Sequence, residues 1–504
     1  MDTSYEALYK RFSKAQATRE IWRSTHKEAC EYCLPNRETF DLYAEGEDKS
    51  TRIFDSTAVE ALKSFSNRIQ GSVIPAWQQW ADLTAGSDIP EDKEDSVNET
   101  LQEVTKVVFS AINHSNFYQE ISPALLDLGI GTGCIAVEPG IMGNDLKFSC
   151  IPLSQLYPEK PINGAVESLW QQFKMPPQNI KATWPMAKLG DKLAKMAEKP
   201  ESADVQILNG QVYEPTKGIY HHFVLSPDDK QVMYHGQFKY KRFIPFRWSV
   251  TPSETFGRGV AIDNLSDVKT LNKMVEQYLA ATAFSINPMF TGVSDGIFNP
   301  HTVRFQPGAI VPVGSNASAN PSLMPLQTGN NIQHGSMVVA ELQAKIKDAF
   351  FASPLGDVTD PVRSATENML RKQEYLRRAG ASFGRLNSEL VAPLMNSVLS
   401  ILAEVNKVPP IQADGKEIKI KHQSPMAKTE QMEQFQNTQV WLQTNLGMLP
   451  PEQAQMGIKM ENIPTVTGAQ LGIDQELLRS DEEKQALAQQ QQAQMEQMNA
   501  QQQQ

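Results

Sequence analysis

The chain has 504 residues, which at roughly 100 to 200 residues per domain leaves room for two to five compact units. Its 47 lysines and arginines stand against 58 aspartates and glutamates, for a net charge of −11, and 40% of its residues are hydrophobic. These values exclude a disordered chain, and the acidic balance argues against a protein that coats nucleic acid, since such domains usually carry a basic surface. A protein that handles DNA without holding it tightly is still compatible with them.

Cysteine usage and the N-terminus bear on the cellular compartment. Four cysteines are too few for a disulfide scaffold, which indicates a reducing compartment or a fold indifferent to redox conditions. The N-terminus has no basic start followed by an apolar run, and we find no window of about 18 apolar residues. We therefore expect neither a secretion signal nor a membrane span.

The first half of the chain predicts a mixed α+β body. Apolar residues at helical spacing predict helices over residues 4–33, 56–70 and about 95–115. From 120 to 250 the pattern changes to short alternating runs, such as Cys134 to Val137 and Gln231 to Tyr234, broken by Gly, Pro and Asn. This texture is typical of a small antiparallel sheet.

The second half predicts long helices around a β-rich insert. Helical periodicity covers residues 261–286 and about 331–352, and the stretch between them, 287–330, is rich in Gly, Pro, Asn and Ser with two short β-like runs. After a flexible loop at 354–361, a third long helix is predicted over 364–406. Pro393 is expected to kink this helix, because proline removes a backbone donor and clashes with the preceding turn.

The C-terminal hundred residues are less regular. A short strand is predicted at 417–421 and a helical segment at about 429–446. The last sixteen residues, 489–504, contain ten glutamines and no pattern able to bury a face. We expect a mobile or partly helical tail.

The string from Leu126 to Gly133 resembles the glycine-rich motif with which methyltransferases bind S-adenosylmethionine, where glycines turn a strand into a helix. Pro139 and Gly140 would stop such a helix after about six residues, so we favour a tight turn between two strands. The methyltransferase function is the alternative hypothesis, judged unlikely.

Two further motifs have a simpler interpretation. Gly292 to Gly296 matches the G-x-S-x-G nucleophile elbow, but Ile297 to Pro300 cannot start the helix that this device needs, so a polar turn is favoured. His26, Cys30 and Cys33 share one helical face and are candidate zinc ligands, but a fourth ligand is missing and buried cysteines are the favoured interpretation. Phosphate-loop and HExxH motifs are absent, so we expect no ATPase activity, no cofactor and no metal.

The strings that carry a family resemblance lie between about residues 50 and 405. In chain order they are Phe54-Asp55-Ser56-Thr57-Ala58 with Leu62 and Arg68; Arg247-Trp248; Phe256-Gly257-Arg258-Gly259; Leu271-Asn272-Lys273; and Ser364-Ala365-Thr366-Glu367 with Arg371, Glu374, Gly380, Leu386, Glu389-Leu390 and Pro393-Leu394. Together with the order of the predicted elements, they resemble the portal proteins, or head-to-tail connectors, of short-tailed, podovirus-type phages.

The resemblance implies an α+β portal fold with named parts. These are a mixed wing (1–260), two stem helices (261–286 and 331–353), a small β-rich clip (287–330), a tunnel loop (354–363), a kinked helix that returns to the wing (364–424), a helical crown (425–488) and the glutamine-rich tail (489–504).

The resemblance also implies a function without chemistry. Portal proteins form a dodecameric ring at one capsid vertex, through which double-stranded DNA is packaged and later ejected. The implied partners are the terminase large subunit, then a tail adaptor protein, and the major capsid and scaffolding proteins. The implied location is the virion, after assembly in the host bacterial cytoplasm, with no membrane, metal or cofactor.

A DNA channel should hold its cargo loosely, so a few cations facing the lumen are enough to offset repulsion. Lys345, Lys347 and Arg363 are the candidates for these contacts, although a helix places 345 and 347 about 200° apart, so we expect only one of them to face the lumen. Gly356, Asp357 and Asp360 are expected in a mobile loop that narrows the channel. Residues 363–390 carry a local charge of +3, for which an exposed helix face is the simplest interpretation.

Overall fold

A computed structural model of the chain describes most of the first half and separate parts of the second. The described residues are 2–37, 40, 52–76, 78–140, 145–161, 164–199, 201–286, 290–292, 323–325, 332–352, 380–410, 418–422, 425–448, 458 and 462–471. They divide into two compact units, the first formed by Met1–Arg68 with His114–Val405 and the second by Ile69–Asn113 with Asn406–Gln504.

Helices and strands are mixed along the chain, as the predicted α+β class requires. The helices of the first three hundred and fifty residues are α1 (Tyr5–Cys33), α2 (Thr57–Val73), α3 (Glu91–His114), α4 (Phe117–Ile130), α5 (Asn179–Thr183), α6 (Asp191–Ala197), α7 (Val260–Asp263), α8 (Leu265–Ile286) and α9 (Ile332–Ala349). The later helices are Ala392–Glu404, Pro425–Met448 and Ile463–Leu471.

The strands are β1 (Ala81–Ala85), β2 (Thr132–Pro139), β3 (Leu146–Cys150), β4 (Leu156–Pro158), β5 (Leu169–Met175), β6 (Val205–Glu214), β7 (Ile219–Ser226), β8 (Gln231–Phe238), β9 (Phe243–Arg247), β10 (Phe290–Gly292), β11 (Leu323–Pro325) and β12 (Ile418–His422).

The first helix shows how local chemistry sets an element's ends. Ser4 caps α1 by accepting a hydrogen bond from the Ala7 amide at 3.4 Å, so the helix begins where the sequence supplies a side-chain acceptor. It ends at Cys33 because Leu34 precedes Pro35, and the residue before a proline is disfavoured in helical dihedrals. The predicted helix over residues 4–33 is confirmed.

Two antiparallel sheets form the β part of the first unit. One has three strands in the order β3-β2-β9, and the other has five in the order β4-β5-β6-β7-β8. The runs Cys134 to Val137 and Gln231 to Tyr234 lie on β2 and β8, so the expected antiparallel structure is confirmed, although it is divided between two sheets. The central position of β2 explains why its first six residues are all buried.

Each face of the five-stranded sheet covers its own apolar cluster. On one face Trp170 and Phe223 pack against Leu8 and Phe12 of α1. On the other, Ile207 and Val224 share a cluster with Ile180 of α5 and Leu193 of α6. The sheet is therefore held between helices on both sides, which ties the N-terminal helix to residues two hundred positions later in the chain.

The long helix near residue 400 is irregular at its proline. A π-helical turn, Asn387–Val391, precedes the regular helix that contains Pro393. A π turn relieves the missing hydrogen bond and the ring clash that proline imposes on the turn before it. The expected irregularity at Pro393 thus takes this form.

The same helix, Gly380–Glu404, is the one described segment that is long and apolar enough to cross a membrane, with a mean hydropathy of 1.3 in its most apolar window. More than half of that window is buried, and Leu386, Leu390, Leu394 and Val398 are fully shielded from solvent. Burial within the first unit accounts for its apolar character.

The glycine string at residues 129–133 is where the predicted local structure was wrong. Helix α4 ends at Ile130 and strand β2 begins at Thr132, so the string joins a helix to a strand instead of turning between two strands. The cofactor-binding motif of methyltransferases needs the opposite order, a strand followed by a helix. The structure therefore removes the basis of the methyltransferase hypothesis.

In the second unit, β1 pairs antiparallel with β12, from Ala81 opposite His422 to Ala85 opposite Ile418. The strand predicted at 417–421 and the helix predicted at 429–446 are both found, the helix extending over Pro425–Met448. The Thr105 hydroxyl of α3 donates a hydrogen bond to a carbonyl of its own helix and accepts one from the Leu83 amide at 3.3 Å. The second hydrogen bond connects β1 to α3.

Several predictions lie outside the described residues. They concern the β-like runs at 303–305 and 309–311, the turn after Gly292, the tunnel loop with Gly356, Asp357 and Asp360, the residues Arg363, Thr366, Glu367, Arg371 and Glu374, and the glutamine-rich tail.

Candidate functional site

Two long helices, α8 and α9, form an antiparallel pair. Near one end Gly335 of α9 lies against the ring of Tyr278 on α8, and near the other Lys345 bonds Asp267 at 2.8 Å. Residue numbers increase along α9 while those of the contacted residues on α8 decrease, so the two helices are antiparallel. The helices predicted over 261–286 and 331–352 are thus confirmed, with a break at Asn264 that separates α7 from α8.

The strands β10 and β11 follow α8 and precede α9. They pair antiparallel, with Phe290 opposite Pro325 and Gly292 opposite Leu323. A β hairpin-like ladder therefore interrupts the helical pair, which agrees with the predicted β-rich insert between two helices.

Charges on the helical pair cancel. Helix α8 carries Asp267, Lys269, Lys273 and Glu276, and α9 carries Glu341, Lys345, Lys347 and Asp348, two of each sign on each helix. A surface with this balance neither attracts nor repels a phosphate backbone strongly.

Three of the four lysines on the helical pair form ion pairs with carboxylates. Lys269 bonds Glu28 of α1, Lys273 bonds Glu276 at 2.7 Å, and Lys345 bonds Asp267 of the facing helix. Lys347 is exposed and makes no ion pair within the described part of the chain. The two lysine candidates therefore differ, since Lys345 is held between the helices whereas Lys347 is available to a ligand.

The end of the pair that lies farthest from the body exposes apolar side chains. Leu279 is 51% exposed, Ile286 73% and Met337 70%. At the opposite end Val268, Leu271, Ile346 and Phe350 are buried. The apolar exposure of the pair is therefore concentrated toward the end of α8 that leads to β10.

The base of the pair is fastened to the body by amide side chains. The Asn272 side-chain oxygen accepts the Phe54 amide at 2.7 Å, and its Nδ2 donates to the Arg52 carbonyl at 2.9 Å. Gln343 of α9 donates to the Asp55 carboxylate at 2.7 Å. The strings Phe54-Asp55 and Leu271-Asn272 therefore meet in space, more than two hundred residues apart in the chain.

The predicted family string Phe256-Gly257-Arg258-Gly259 crosses the glycine string at 129–133. The Gly259 amide donates to the Ile130 carbonyl at 3.0 Å, and the Gly257 amide donates to the Thr132 hydroxyl at 2.9 Å. A Cβ on Gly259 would lie 2.2 Å from the Gly129 carbonyl oxygen, so the two backbones touch directly. The glycines of both strings are therefore explained by the same contact, in which the two backbones approach each other closely.

The rest of that string faces α1. Phe256 is fully buried and meets His26 edge to face with 5.0 Å between ring centroids. Arg258 bonds Glu254 through two nitrogens, at 2.9 and 2.7 Å, and lies over the Trp22 ring.

Arg247 joins two of the family strings, 142 residues apart in the chain. Its guanidinium is 1% exposed and bonds Glu389 through Nε at 3.1 Å and Nη2 at 2.6 Å, while its backbone amide donates to the same carboxylate at 3.0 Å. A bidentate ion pair whose arginine is excluded from water is strongly directional. Of the predicted helix charges at 363–390, Glu389 is therefore largely shielded, at 12% exposure, by its pairing with Arg247, and it does not lie on a fully exposed face.

The candidate zinc ligands do not form a metal site. Cys33 and His26 are buried, and burial raises the pKa of the Cys33 thiol to about 12 and lowers the pKa of His26 to about 3. Within the described residues, no three His, Cys, Asp or Glu side chains are placed to hold a metal ion. Buried cysteines were the favoured interpretation, and the geometry agrees with it.

Comparison with known proteins gives one family. The family model of the bacteriophage head to tail connecting protein matches residues 5–478. The probable portal protein of Bordetella phage BPP-1 is 22% identical over 453 residues, covering 85% of this chain and 80% of the relative. The portal protein of Salmonella phage epsilon15 is 22% identical over 461 residues, with the same two coverages.

Among solved structures, a chain of the virion of a native gene transfer agent particle aligns with 82% of this chain and 94% of its own length, at 11% identity and a TM-score of 0.36. A chain of the neck of the empty particle aligns with 84% and 94%, at 12% identity and a TM-score of 0.32.

Proposed function

The chain belongs to the bacteriophage head-to-tail connecting protein family and is a portal protein, and we propose that it forms a dodecameric ring at one capsid vertex through which double-stranded DNA passes in packaging and ejection. Portal proteins are structural, so this chain is a virion component and not an enzyme.

The antiparallel pair of α8 and α9 carries this proposal. In the proposed ring these helices are the stem, the segment around β10 and β11 is the clip, and residues 354–363 are the tunnel loop. The exposed Leu279, Ile286 and Met337 are then covered by neighbouring copies, which accounts for apolar groups that a monomer leaves in water.

The other parts of the proposed architecture follow the same order. Residues 1–260, rejoined by 364–424, form the wing, 425–488 the crown and 489–504 a flexible tail. The clip docks the terminase large subunit during packaging and a tail adaptor protein afterwards, while the wing meets the major capsid and scaffolding proteins. Assembly takes place in the host bacterial cytoplasm.

Native mass measurement of the full-length protein tests the ring. We expect a species at about twelve times 56.2 kDa. Rings of eleven or thirteen copies agree with a portal that assembles without its capsid, whereas a monomer under all conditions contradicts the proposal.

Channel contacts are the finer part of the proposal. Lys347 on α9 and Arg363 in the tunnel loop are the proposed lumen cations, with Lys345 as the alternative to Lys347 because only one of the two is expected to face the lumen, and Gly356, Asp357 and Asp360 form the loop that narrows the channel. The balanced charge of the described stem supports a passage in which the duplex slides.

Separate Lys345→Gln, Lys347→Gln and Arg363→Gln substitutions in a phage assembly system test these contacts, with packaged DNA length and DNA retention as readouts. Lys273→Gln is the matched control, because Lys273 is occupied by Glu276 on its own helix. Unchanged packaging and retention for all three variants would remove the assignment.

A further inference from the structure

The last four residues of β5, Gln172–Met175, have a neighbouring strand on one side only. Strand β6 pairs with them, from Leu208 opposite Gln172 to Val205 opposite Met175. On the other side β4 pairs only with Leu169–Gln171, and past that point no strand of the described chain lies beside β5. An open strand edge presents backbone groups that an added strand satisfies.

A cleft of about 400 Å³ opens at this edge, between α1 and the sheet. Its α1 wall carries Arg19 and Arg23, and its sheet wall carries Gln172, Lys174 and Gln206. The side chains are long and polar, so they supply hydrogen bonds without filling the space. We call this space the β5-edge cleft.

Within the described residues, Arg19 has no carboxylate partner in the β5-edge cleft. It is 4% exposed, the one hydrogen bond that it makes to a described residue runs from Nη2 to the Ser154 carbonyl at 3.4 Å, and its Nε has no acceptor among them. Its guanidinium lies over the Phe40 ring at 4.5 Å. A buried cation without an anion is costly, because it has lost water and gained little in return.

The remaining charges of the cleft leave it positive. Glu20 is the one acidic residue among the described lining side chains, and Arg23 bonds it at 3.3 Å. Lys174 is exposed and makes no ion pair within the residues that the structure describes. Among the described residues, Arg19 and Lys174 are thus two cations without an ion-pair partner beside an open strand edge, in a chain of net charge −11.

We propose that the β5-edge cleft is a docking site for an extended, acidic peptide segment of a partner protein chain, which pairs with β5 along Gln172–Met175 and places a carboxylate against Arg19 and Lys174. Strand addition supplies backbone hydrogen bonds, and the guanidinium selects an acidic side chain at one position of the segment. A DNA duplex offers phosphates but no backbone that pairs with a strand edge, so the geometry favours a peptide. This inference does not depend on the proposed ring or channel.

The probe is a fluorescein-labelled peptide of eight residues in which glutamate and valine alternate. Its binding to the full-length protein is followed by fluorescence anisotropy. Lys174→Glu is expected to weaken binding at least tenfold, because it replaces an attraction by a repulsion at the mouth of the cleft. Lys181→Glu is the matched control, since it makes the same charge change on α5, which packs on the opposite face of the sheet. It should bind as the unmodified protein does.

Arg19→Met is the sharper substitution, and its thermal melting is compared first because Arg19 is buried. Lys174 is at the surface, so the test stands even where Arg19→Met does not fold. Two peptides separate the parts of the proposal: one with lysine for glutamate should not bind, and one with proline for valine should lose binding because proline cannot complete the ladder.

Four results would overturn the inference. They are no binding of the acidic peptide, equal binding by the Lys174→Glu protein, equal weakening by Lys181→Glu, and displacement of the peptide by inorganic phosphate or a short DNA duplex while the proline peptide binds as well as its parent. The last result would assign the cleft to a simple anion.

Discussion

Arg247 and Glu389 are 142 residues apart in the chain and form a bidentate ion pair in which the arginine is buried. The Arg247 side chain also donates to the Gly164 carbonyl at 2.6 Å, so one guanidinium joins the end of β9, the loop before β5 and the π turn of the long helix. No other charged side chain in the described chain is as completely buried as Arg247. It therefore orients the long helix relative to the three-stranded sheet.

Arg247→Met is expected to lower the free energy of unfolding by about 2 to 3 kcal/mol, because it leaves the largely shielded Glu389 carboxylate without its guanidinium partner. Denaturant titration measures this. Lys273→Met is the control, since its pair with Glu276 is exposed and is worth less than about 1 kcal/mol. A cost for Arg247→Met as small as that of the control would show that the pair does not organise the core.

Gly259→Ala is expected to destabilise the first unit by about 3 kcal/mol or more, because the new methyl group meets the Gly129 carbonyl oxygen at 2.2 Å and backbone cannot move aside cheaply. Gly380→Ala is the matched control, as no described atom lies within 4 Å of its Cβ position and alanine favours the helix. Melting temperature and soluble yield are the readouts. If both variants melt alike, the glycine crossing is not a tight contact.

Asn272→Ala should cost about 1 to 3 kcal/mol, since it leaves the Phe54 amide and the Arg52 carbonyl without their partner. Hydrogen exchange gives a local readout, because the Phe54 amide loses its acceptor and should exchange faster. Thr270→Ala, on the exposed side of the same helix, should leave that amide unchanged. Equal protection of Phe54 in both variants would contradict the anchoring role.

His26 predicts a loss of stability in acid. Burial and the nearby Arg19 lower its pKa to about 3, and neither ring nitrogen has a hydrogen-bond partner among the described residues. The folded protein keeps His26 neutral where the unfolded chain protonates it, so its contribution is complete above about pH 6.5 and declines as the pH falls from there toward 3.

Between pH 6.5 and pH 5 this difference amounts to about 2 kcal/mol. His26→Phe keeps an aromatic ring next to Trp22 and Phe256 and removes the titration. Urea titrations of both proteins at the two pH values should show that the variant loses about 2 kcal/mol less. Parallel losses would mean that His26 is protonated in the folded protein.

Helical periodicity and proline signals predicted the elements well, because they depend on neighbours in the sequence. The ends of α1 follow from Ser4 and Pro35, and helices α8 and α9 follow from apolar spacing. The break at Asn264 had no such signal, since residues on both sides of it continue the apolar pattern.

The glycine string at 129–133 shows why the rest was harder. Glycines in a sequence indicate that another part of the chain lies close to their backbone, but they do not identify that part. Here it is the backbone of residues 257–259. Likewise Glu389 lies in a run of charges that is typical of an exposed helix face. Only its ion pair with the distant Arg247 explains why it is largely shielded from solvent. Contacts between residues more than a hundred positions apart carry no local signal, so the three-dimensional structure was needed to see them.

The anchoring of the helical pair has a mechanical consequence. Polar contacts connect α8 and α9 to the body at Asn272 with the 52–54 backbone, at Gln343 with Asp55, and at Lys269 with Glu28. The first two converge on one short segment just before α2. A push on the far end of the helical pair is therefore expected to be transmitted through these contacts to the start of α2 and to α1.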